Sequence, residues 1–207
     1  MATFQPLKSL GSLPFQPGKP MPVLFIGHGS PMNGIENNEF SIKWAKLGNE
    51  IPTPRAVLCV SAHWLTRGTY VTVLQLSIDY DQPSEYHYRM GKELNKLRKK
   101  GVWIIGSGNM IHNLRMVAWD KLNEPEYGFD WAVEMNDLFK KNILSATHQN
   151  LIDYQKLGEA ALKAISTPDY CYPLLYTLGV QTNKNEIEIF NDKAVGGSLT
   201  MTSVRIG

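Results

Sequence analysis

Three short apolar runs, each followed by a histidine among small residues, constrain the fold of this 207-residue chain more than any other feature. Each run holds four or five β-branched or large apolar residues without alternation, which is typical of a strand buried on both faces of a sheet. Gly, Ser, Ala or Asn then follow, so each histidine lies where its strand ends. The runs with their histidines are residues 23–30 with His28, residues 57–64 with His63, and residues 103–113 with His112.

These three histidines predict a shared metal site. Ligands bind at the carboxyl ends of the strands in an open α/β sheet, because the chain there leaves the packed layer and presents polar groups to a crevice. Neutral imidazole suits Zn, Fe and Cu, whereas Mg and Ca prefer oxygen ligands. Zinc with an open position would support hydrolysis or hydration, and ferrous iron would bind a chelating substrate together with oxygen. Residue spacing does not choose between these outcomes.

Polar residues beside the histidines are candidates for supporting the site. Ser30 precedes a proline and lies outside any nucleophile elbow, so we interpret it as a hydroxyl behind the metal ligands or as a turn residue. Asn109 and Asn113 flank His112 and either orient its imidazole or only form the turn. His87 lies on a predicted helix, where a packing or surface role is expected.

The segments between the runs predict the rest of an α/β domain. Phe40, Trp44 and Leu47 recur at helical spacing within residues 35–47, with Asn33 as a possible cap. Strand, helix and strand with short connections indicate a parallel βαβ unit. The other predicted elements are a long strand at 70–79, helices at 83–100, 130–144 and 157–165, an apolar turn at 174–178, and strands at 186–190 and 198–206 joined by a turn at 196–197.

Length and charge indicate one domain with a small-molecule site. A chain of 207 residues suits one buried α/β core, so we expect a leader at residues 1–20, loosely ordered, and a single catalytic domain at residues 21–207. The net charge of +2 is small, and the basic run at residues 96–100 complements the end of a helix. Nucleic acid is therefore not expected as a partner.

The cysteines and the distribution of apolar residues indicate the cellular compartment of the protein. Cys59 and Cys171 are the only cysteines, which indicates a reducing compartment without a disulfide framework. Residues 1–20 contain no secretory apolar core, and no run approaches the roughly 18 apolar residues that span a bilayer. A cytoplasmic protein that does not bind membranes is expected, and the sequence leaves its oligomeric state open.

Five motifs between residue 21 and the end of the chain share one family resemblance. They are Met-Pro-Val-Leu-Phe-Ile-Gly-His-Gly-Ser-Pro-Met-Asn at 21–33, Val-Ser-Ala-His-Trp at 60–64, Gln-Leu-Ser-Ile-Asp at 75–79, Ser-Gly-Asn-Met-Ile-His-Asn-Leu-Arg at 107–115, and Pro-Leu-Leu-Tyr-Thr-Leu-Gly at 173–179. Together they resemble the class III extradiol ring-cleavage dioxygenases, in the branch of the 4,5-DOPA dioxygenases.

The resemblance implies both a fold and a chemistry. The fold is α/β, three-layer αβα with a mostly parallel central sheet, of the phosphorylase/hydrolase-like kind. The implied ligands of one metal ion are His28, His63 and His112, with Fe(II) expected for activity and Zn(II) often bound in its place. The implied substrates are a small aromatic catechol such as DOPA, opened next to its two hydroxyls, and O₂.

The chain departs from the family pattern in two places. The family carries a further histidine where this chain has Tyr170, and a neutral phenol is a poor metal ligand, so Tyr170 leaves the site one ligand short or merely packs. Between Thr72 and Leu74 the family also has a stretch on the order of seventy residues, too long for a simple connection. That stretch contains the histidine taken to be the acid–base catalyst, which is therefore unknown in this chain.

Two explanations of the second departure remain open. Either a lid has dropped out of the sequence as read, or the gene lacks it; we favour the first, because losing a middle strand and the catalytic base together would leave a hole in the sheet. Besides the dioxygenase, two other functions fit the residues: a zinc hydrolase, for which the histidine motifs supply no carboxylate base, and a non-enzymatic metal-binding or interaction protein of the same fold.

Overall fold

A mostly parallel sheet forms the centre of the molecule. The computed structural model describes residues 10–62, 72–182 and 185–207. Six strands, in the spatial order β3-β2-β4-β1-β8-β5, make the main sheet, and β6 pairs with β7 beside it. The strands are β1 (Val23–Gly27), β2 (Ala56–Ser61), β3 (Thr72–Leu76), β4 (Val102–Gly108), β5 (Ile187–Phe190), β6 (Ala194–Val195), β7 (Leu199–Thr200) and β8 (Ser203–Ile206).

Strand direction and register position the functional edge of the sheet. β1, β2, β3 and β4 run parallel, whereas β8 is antiparallel to both β1 and β5. Gly27 pairs with Gly108, and Ser61 pairs with Ser107, so β1, β2 and β4 end level with one another. The predicted three-layer α/β fold with a mostly parallel central sheet is confirmed.

Six α-helices with both ends in the described ranges accompany the sheet. They are α1 (Glu39–Glu50), α2 (Ser84–Arg98), α3 (Asp130–Leu144), α4 (Gln149–Ile152), α5 (Glu159–Ala164) and α6 (Tyr172–Gly179). α3 has the predicted bounds. α1 begins later than predicted, because Asn38 rather than Asn33 is its cap: the Asn38 side chain accepts hydrogen bonds from the backbone N–H groups of Phe40 and Ser41.

One predicted turn is wrong, and a second is present but joins other strands than predicted. The apolar turn at residues 174–178 is part of α6, a helix with all eight residues buried. A helix that is apolar on every side lacks the periodicity by which a surface helix is recognised. The turn at Gly196 and Gly197 joins only the short strands β6 and β7, and it does not connect β5 directly to β8.

β3 forms one edge of the sheet. It is shorter than the predicted strand at 70–79, ending at Leu76, and residues 70–71 lie outside the described range. Its register with β2 is continuous from Ala56 opposite Thr72 to Val60 opposite Leu76. Each of the six strands is hydrogen-bonded to its neighbour. The described sheet therefore has no gap next to the position between Thr72 and Leu74, where this chain lacks the stretch found in the family pattern.

The larger core lies between the sheet and the α2–α6 pair. Val23, Phe25 and Ile104 point from the sheet into this core, which also receives apolar residues of α2, α3 and α6. A smaller cluster on Leu24, with Met21 and Ile51, forms separately from it. Since neighbouring residues of a strand point to opposite faces, both faces of β1 are covered.

Residues 10–20 are attached to this domain. Leu10 is buried and belongs to the larger core, and the Gln16 N–H donates to the carbonyl of Lys99. Among the described residues, no helix combines the length and the apolar character needed to cross a bilayer.

The close packing of α2 on α6 predicts the effect of a single methyl group. A Cβ at Gly91 would lie 2.1 Å from the carbonyl oxygen of Tyr176, so Gly91→Ala forces the two helices apart. We expect it to lower the free energy of unfolding by about 2 kcal/mol. Gly48→Ala in α1 is the matched control, because nothing lies within 4 Å of its Cβ position; it should raise stability by up to about 1 kcal/mol.

Urea denaturation of the two variants beside the wild type measures both changes. Equal effects at Gly91 and Gly48 would contradict the described α2–α6 packing.

Candidate metal centre

Two of the three predicted metal ligands converge at the carboxyl edge of the sheet. His28 directly follows β1, and its backbone N–H donates to the carbonyl of Gly108 at the end of β4. His112 follows β4 by four residues and is buried. His63 lies outside the described residues; Ala62, just before it, donates its N–H to the carbonyl of Ser107. The backbone therefore directs all three segments to the same edge.

The ring of His28 is oriented by a hydroxyl from the neighbouring strand. Nδ1 of His28 lies 3.0 Å from Oγ of Ser107, near the end of β4. When Nδ1 carries the proton and donates it to Oγ, Nε2 keeps the lone pair that a metal requires. Histidines that bind metals usually donate their second N–H in this way. Sequence reasoning missed Ser107, although its place in the strand-end motif before His112 was visible.

Tyr170 covers the other histidine. Its ring stacks on the imidazole of His112 with centroids 3.5 Å apart and planes 13° from parallel, and its centroid is 5.8 Å from that of His28. Gly108 makes this approach possible, because a Cβ there would lie 2.1 Å from the Tyr170 carbonyl oxygen. Burial, and then the charge of Asp169, raise the pKa of the Tyr170 phenol above its usual value. The phenol therefore stays protonated at neutral pH.

The remaining predicted residues bind backbone groups around the site. The Asn109 amide donates to the carbonyl of Thr200, and the Asn113 amide donates to that of Lys163. Ser30 accepts a hydrogen bond from the N–H of Met32 and caps a short 3₁₀ turn. These contacts fix the loops that follow β1 and β4. Oδ1 of Asn109 is buried and accepts no hydrogen bond from a described residue.

The described residues supply two of the three imidazoles expected for a zinc, iron or copper site. No three His, Cys, Asp or Glu side chains gather into a metal site within residues 10–62, 72–182 and 185–207. The described residues supply His28 and His112, and a third imidazole would have to come from His63. Zinc, iron and copper are the metals that such nitrogen ligands suit.

A cleft opens next to this edge, beyond the ends of β2 and β3. Its volume is about 490 Å³, and its lining includes Ser61, Gln75, Ser77, Tyr80 and Asp169. It lies next to the histidine site, since Asp169 is in its lining and the following residue, Tyr170, stacks on His112. Sequence reasoning missed Asp169; its place directly before Tyr170 was the only available signal.

His87 lies in an aromatic cluster inside the fold. It is fully buried, stacks on Tyr172 with centroids 3.8 Å apart, and its Nδ1 is 3.3 Å from the hydroxyl of Tyr176. Burial lowers the pKa of His87 below its usual value, although the carbonyl of Gln82 and the charge of Asp79 oppose that shift. His87 therefore has the packing role expected from its position.

Comparisons with known proteins identify relatives over most of the chain. A curated protein of Escherichia coli K12 named 4,5-DOPA dioxygenase extradiol is 31% identical over an alignment that covers 90% of this chain and 95% of the relative. A crystal structure of an uncharacterized protein from Escherichia coli K12 superposes with a TM-score of 0.80 at 30% identity, covering 90% of this chain and 100% of the other. No family model matches the chain.

Plant relatives match over shorter regions. Proteins with the same name from Mirabilis jalapa and Portulaca grandiflora are 31% and 25% identical, over 53% and 66% of this chain. The matched regions cover only 39% and 46% of those plant proteins.

The bacterial alignment also contains positions without a counterpart in this chain. It extends over 263 positions, whereas the chain has 207 residues, so at least 56 positions, the difference between the two numbers, are unmatched. The bacterial relative is therefore longer within the matched region.

The buried imidazole of His87 predicts a pH-dependent stability. Above pH 6.5, its usual pKa, the ring is neutral in both the folded and the unfolded chain. Below that pH the unfolded chain takes up the proton first, so the free energy of unfolding should decrease until the pH reaches the lower pKa of the folded state. Urea denaturation on either side of pH 6.5 measures this loss, and His87→Phe should reduce it.

The NMR titration of the His87 ring checks the same claim in the wild type. A midpoint at or above pH 6.5 would show that burial does not govern this histidine.

Proposed function

Because the chain belongs to the family of the 4,5-DOPA extradiol dioxygenases, we propose that it is a metal-dependent ring-cleavage dioxygenase acting on a catechol-type aromatic such as DOPA. The observation that favours this function most is the meeting of His28 and His112 at the carboxyl edge of the sheet, beside a cleft large enough for a single aromatic ring with a side chain. The name of the bacterial relative supports the same reaction.

The proposed ligands are His28, His63 and His112. Fe(II) is the proposed active metal, and Zn(II) is the metal that the same nitrogen ligands would hold without redox activity. Bound Fe(II) would let a chelating catechol and O₂ react within one coordination sphere. In the sequence the three proposed ligands follow β1, β2 and β4, which are adjacent parallel strands, so the sheet would set the spacing of the segments that carry them.

The chain's own residues would orient these ligands. Ser107 holds the His28 ring through Nδ1, which leaves Nε2 for the metal. The stacked ring of Tyr170 restricts rotation of His112 and keeps water from one of its faces. The cleft lined by Ser61 and Gln75 would receive the organic substrate, because it adjoins the histidines and is open to solvent.

A non-catalytic metal-binding role is the second candidate. It is favoured by the unmatched positions of the bacterial alignment, at least 56 in number. In the family, the acid–base histidine belongs to a stretch for which this chain has no residues between Thr72 and Leu74. A chain without that histidine would hold the metal and a ligand but would move protons slowly.

Oxygen uptake separates the two candidates. Protein reconstituted anaerobically with Fe(II) should consume O₂ with DOPA or another catechol, protocatechuate being included in the panel, and should form a yellow semialdehyde. His112→Ala should lose both the bound iron and the uptake, because it removes a ligand. His148→Gln is the control, since His148 is bound to Tyr88 and Gln181 in another part of the fold.

The contradicting outcome is equally specific. Wild-type protein that demonstrably holds its iron and consumes no O₂ with any catechol would refute the dioxygenase and leave the metal-binding role.

A further inference from the structure

The loop after His28 is closed by a side chain. The chain turns at Gly29, whose φ of 55° lies in the left-handed region, and a short 3₁₀ turn follows at Pro31–Gly34. Nδ2 of Asn33, within that turn, donates a hydrogen bond to the carbonyl oxygen of His28 at 3.0 Å. Asn33, the cap expected from the sequence, therefore binds backward to His28 instead of forward to α1.

A second asparagine connects this contact to the start of α1. Nδ2 of Asn38 donates to Oδ1 of Asn33 at 2.7 Å, and Oδ1 of Asn38 accepts from the backbone N–H groups of Phe40 and Ser41. Each of the two amides thus uses its oxygen as acceptor and its nitrogen as donor. The N–H groups of α1, the two side-chain amides and the His28 carbonyl form one chain of hydrogen bonds, the amide relay.

The direction of the amide relay strengthens its last bond. Both amides accept on the side of α1 and donate on the side of His28, so each bond polarises the next one. The N-terminus of α1 carries a partial positive charge, which adds to that polarisation. Asn33 and Asn38 are both half-buried, so water competes with these bonds less than it does at the surface.

Three described hydrogen bonds act on His28. Its N–H donates to the carbonyl of Gly108, its ring Nδ1 lies 3.0 Å from Oγ of Ser107, and its carbonyl accepts from Asn33. The first two contacts come from β4, whereas the third comes from the loop that leads to α1. A ligand whose ring and backbone are both held loses less conformational freedom when a metal binds.

We propose that Asn33 and Asn38 are positioning residues for His28, so that the start of α1 fixes the backbone of the first proposed metal ligand. The consequence for metal affinity rests on the proposed function, whereas the fixing of the His28 backbone does not. Groups that hold metal ligands in place contribute about 10–100-fold to affinity. Because the amide relay restrains the backbone and not the ring, we expect about tenfold, the lower end of that range.

Asn38→Asp breaks the amide relay and keeps the cap of α1. Aspartate caps helices as well as asparagine does, because one carboxylate oxygen accepts both helix N–H groups. Its second oxygen would face Oδ1 of Asn33 with no proton between them. The Asn33 amide would then turn its NH₂ group to the carboxylate and release the His28 carbonyl.

Ser41→Ala is the matched control. Oγ of Ser41 accepts the backbone N–H of Asn38 in the capping box, so its loss weakens the start of α1 and leaves the amide relay intact. Ser41→Ala should therefore lower the urea midpoint, whereas Asn38→Asp should leave it close to that of the wild type.

Amide hydrogen exchange followed by NMR tests the fixing of His28 in the metal-free protein. The His28 N–H should exchange about tenfold faster in Asn38→Asp than in the wild type, whereas the Phe25 N–H inside β1 should be unaffected. Competition with a chromophoric chelator then measures zinc affinity. It should fall about tenfold in Asn38→Asp, and Ser41→Ala should change neither the His28 exchange rate nor the zinc affinity.

The outcomes separate this proposal from the proposed function. An unchanged His28 exchange rate in Asn38→Asp, or an equal increase in Ser41→Ala, would overturn the amide relay. Unchanged zinc affinity in Asn38→Asp would overturn the positioning role even if His28 exchanges faster. A wild type that binds no zinc would refute the proposed metal centre, and the exchange rates would still decide whether the two asparagines fix His28. Faster exchange with weaker zinc binding in Asn38→Asp alone would support the proposal, even in protein that consumes no O₂.

Discussion

The register of the parallel strands is the constraint on which the site depends. Gly27 is paired with Gly108, and Ser61 with Ser107, so three strands stop at one level. The backbone hydrogen bond from the His28 N–H to the Gly108 carbonyl lies one residue beyond the end of β1, so it also fixes the backbone of His28. A slip of one residue in a strand would turn its side chains to the opposite face, and the histidine segments would no longer meet.

The second requirement is the close approach of α6 and the turn before it. Backbone of the segment 170–173 lies directly against β4, because Gly106 and Gly108 carry no side chains there. This contact places Tyr170 on His112 and Asp169 in the cleft. The same segment therefore forms one wall of the histidine site and contributes to the lining of the neighbouring cleft. Its position is set by tertiary packing, since all eight residues of α6 are buried.

The sequence predicted the elements that local residue patterns determine, but not the features that depend on contacts between distant parts of the chain. The apolar runs before His28 and His112 predicted β1 and β4, and amphipathic spacing predicted α3 with its observed bounds, residues 130–144. α6 was missed because its uniform burial removes any period. The pairing of β8 between β1 and β5 joins distant parts of the chain, and no local pattern indicates it. Asp169 was missed for the same reason, because only the folded chain places it in the cleft. Metal binding by His28, His63 and His112 stays a prediction, and His63 also lies outside the described residues.

X-ray absorption spectroscopy of the zinc-loaded protein tests the central claim most directly, because it counts imidazole ligands without requiring turnover. A metal centre formed by His28, His63 and His112 predicts three nitrogen ligands at about 2.0–2.1 Å, with the multiple scattering that imidazole rings produce. Two imidazoles or fewer would remove His63 from the site, and a sulfur ligand at about 2.3 Å would contradict a histidine centre altogether.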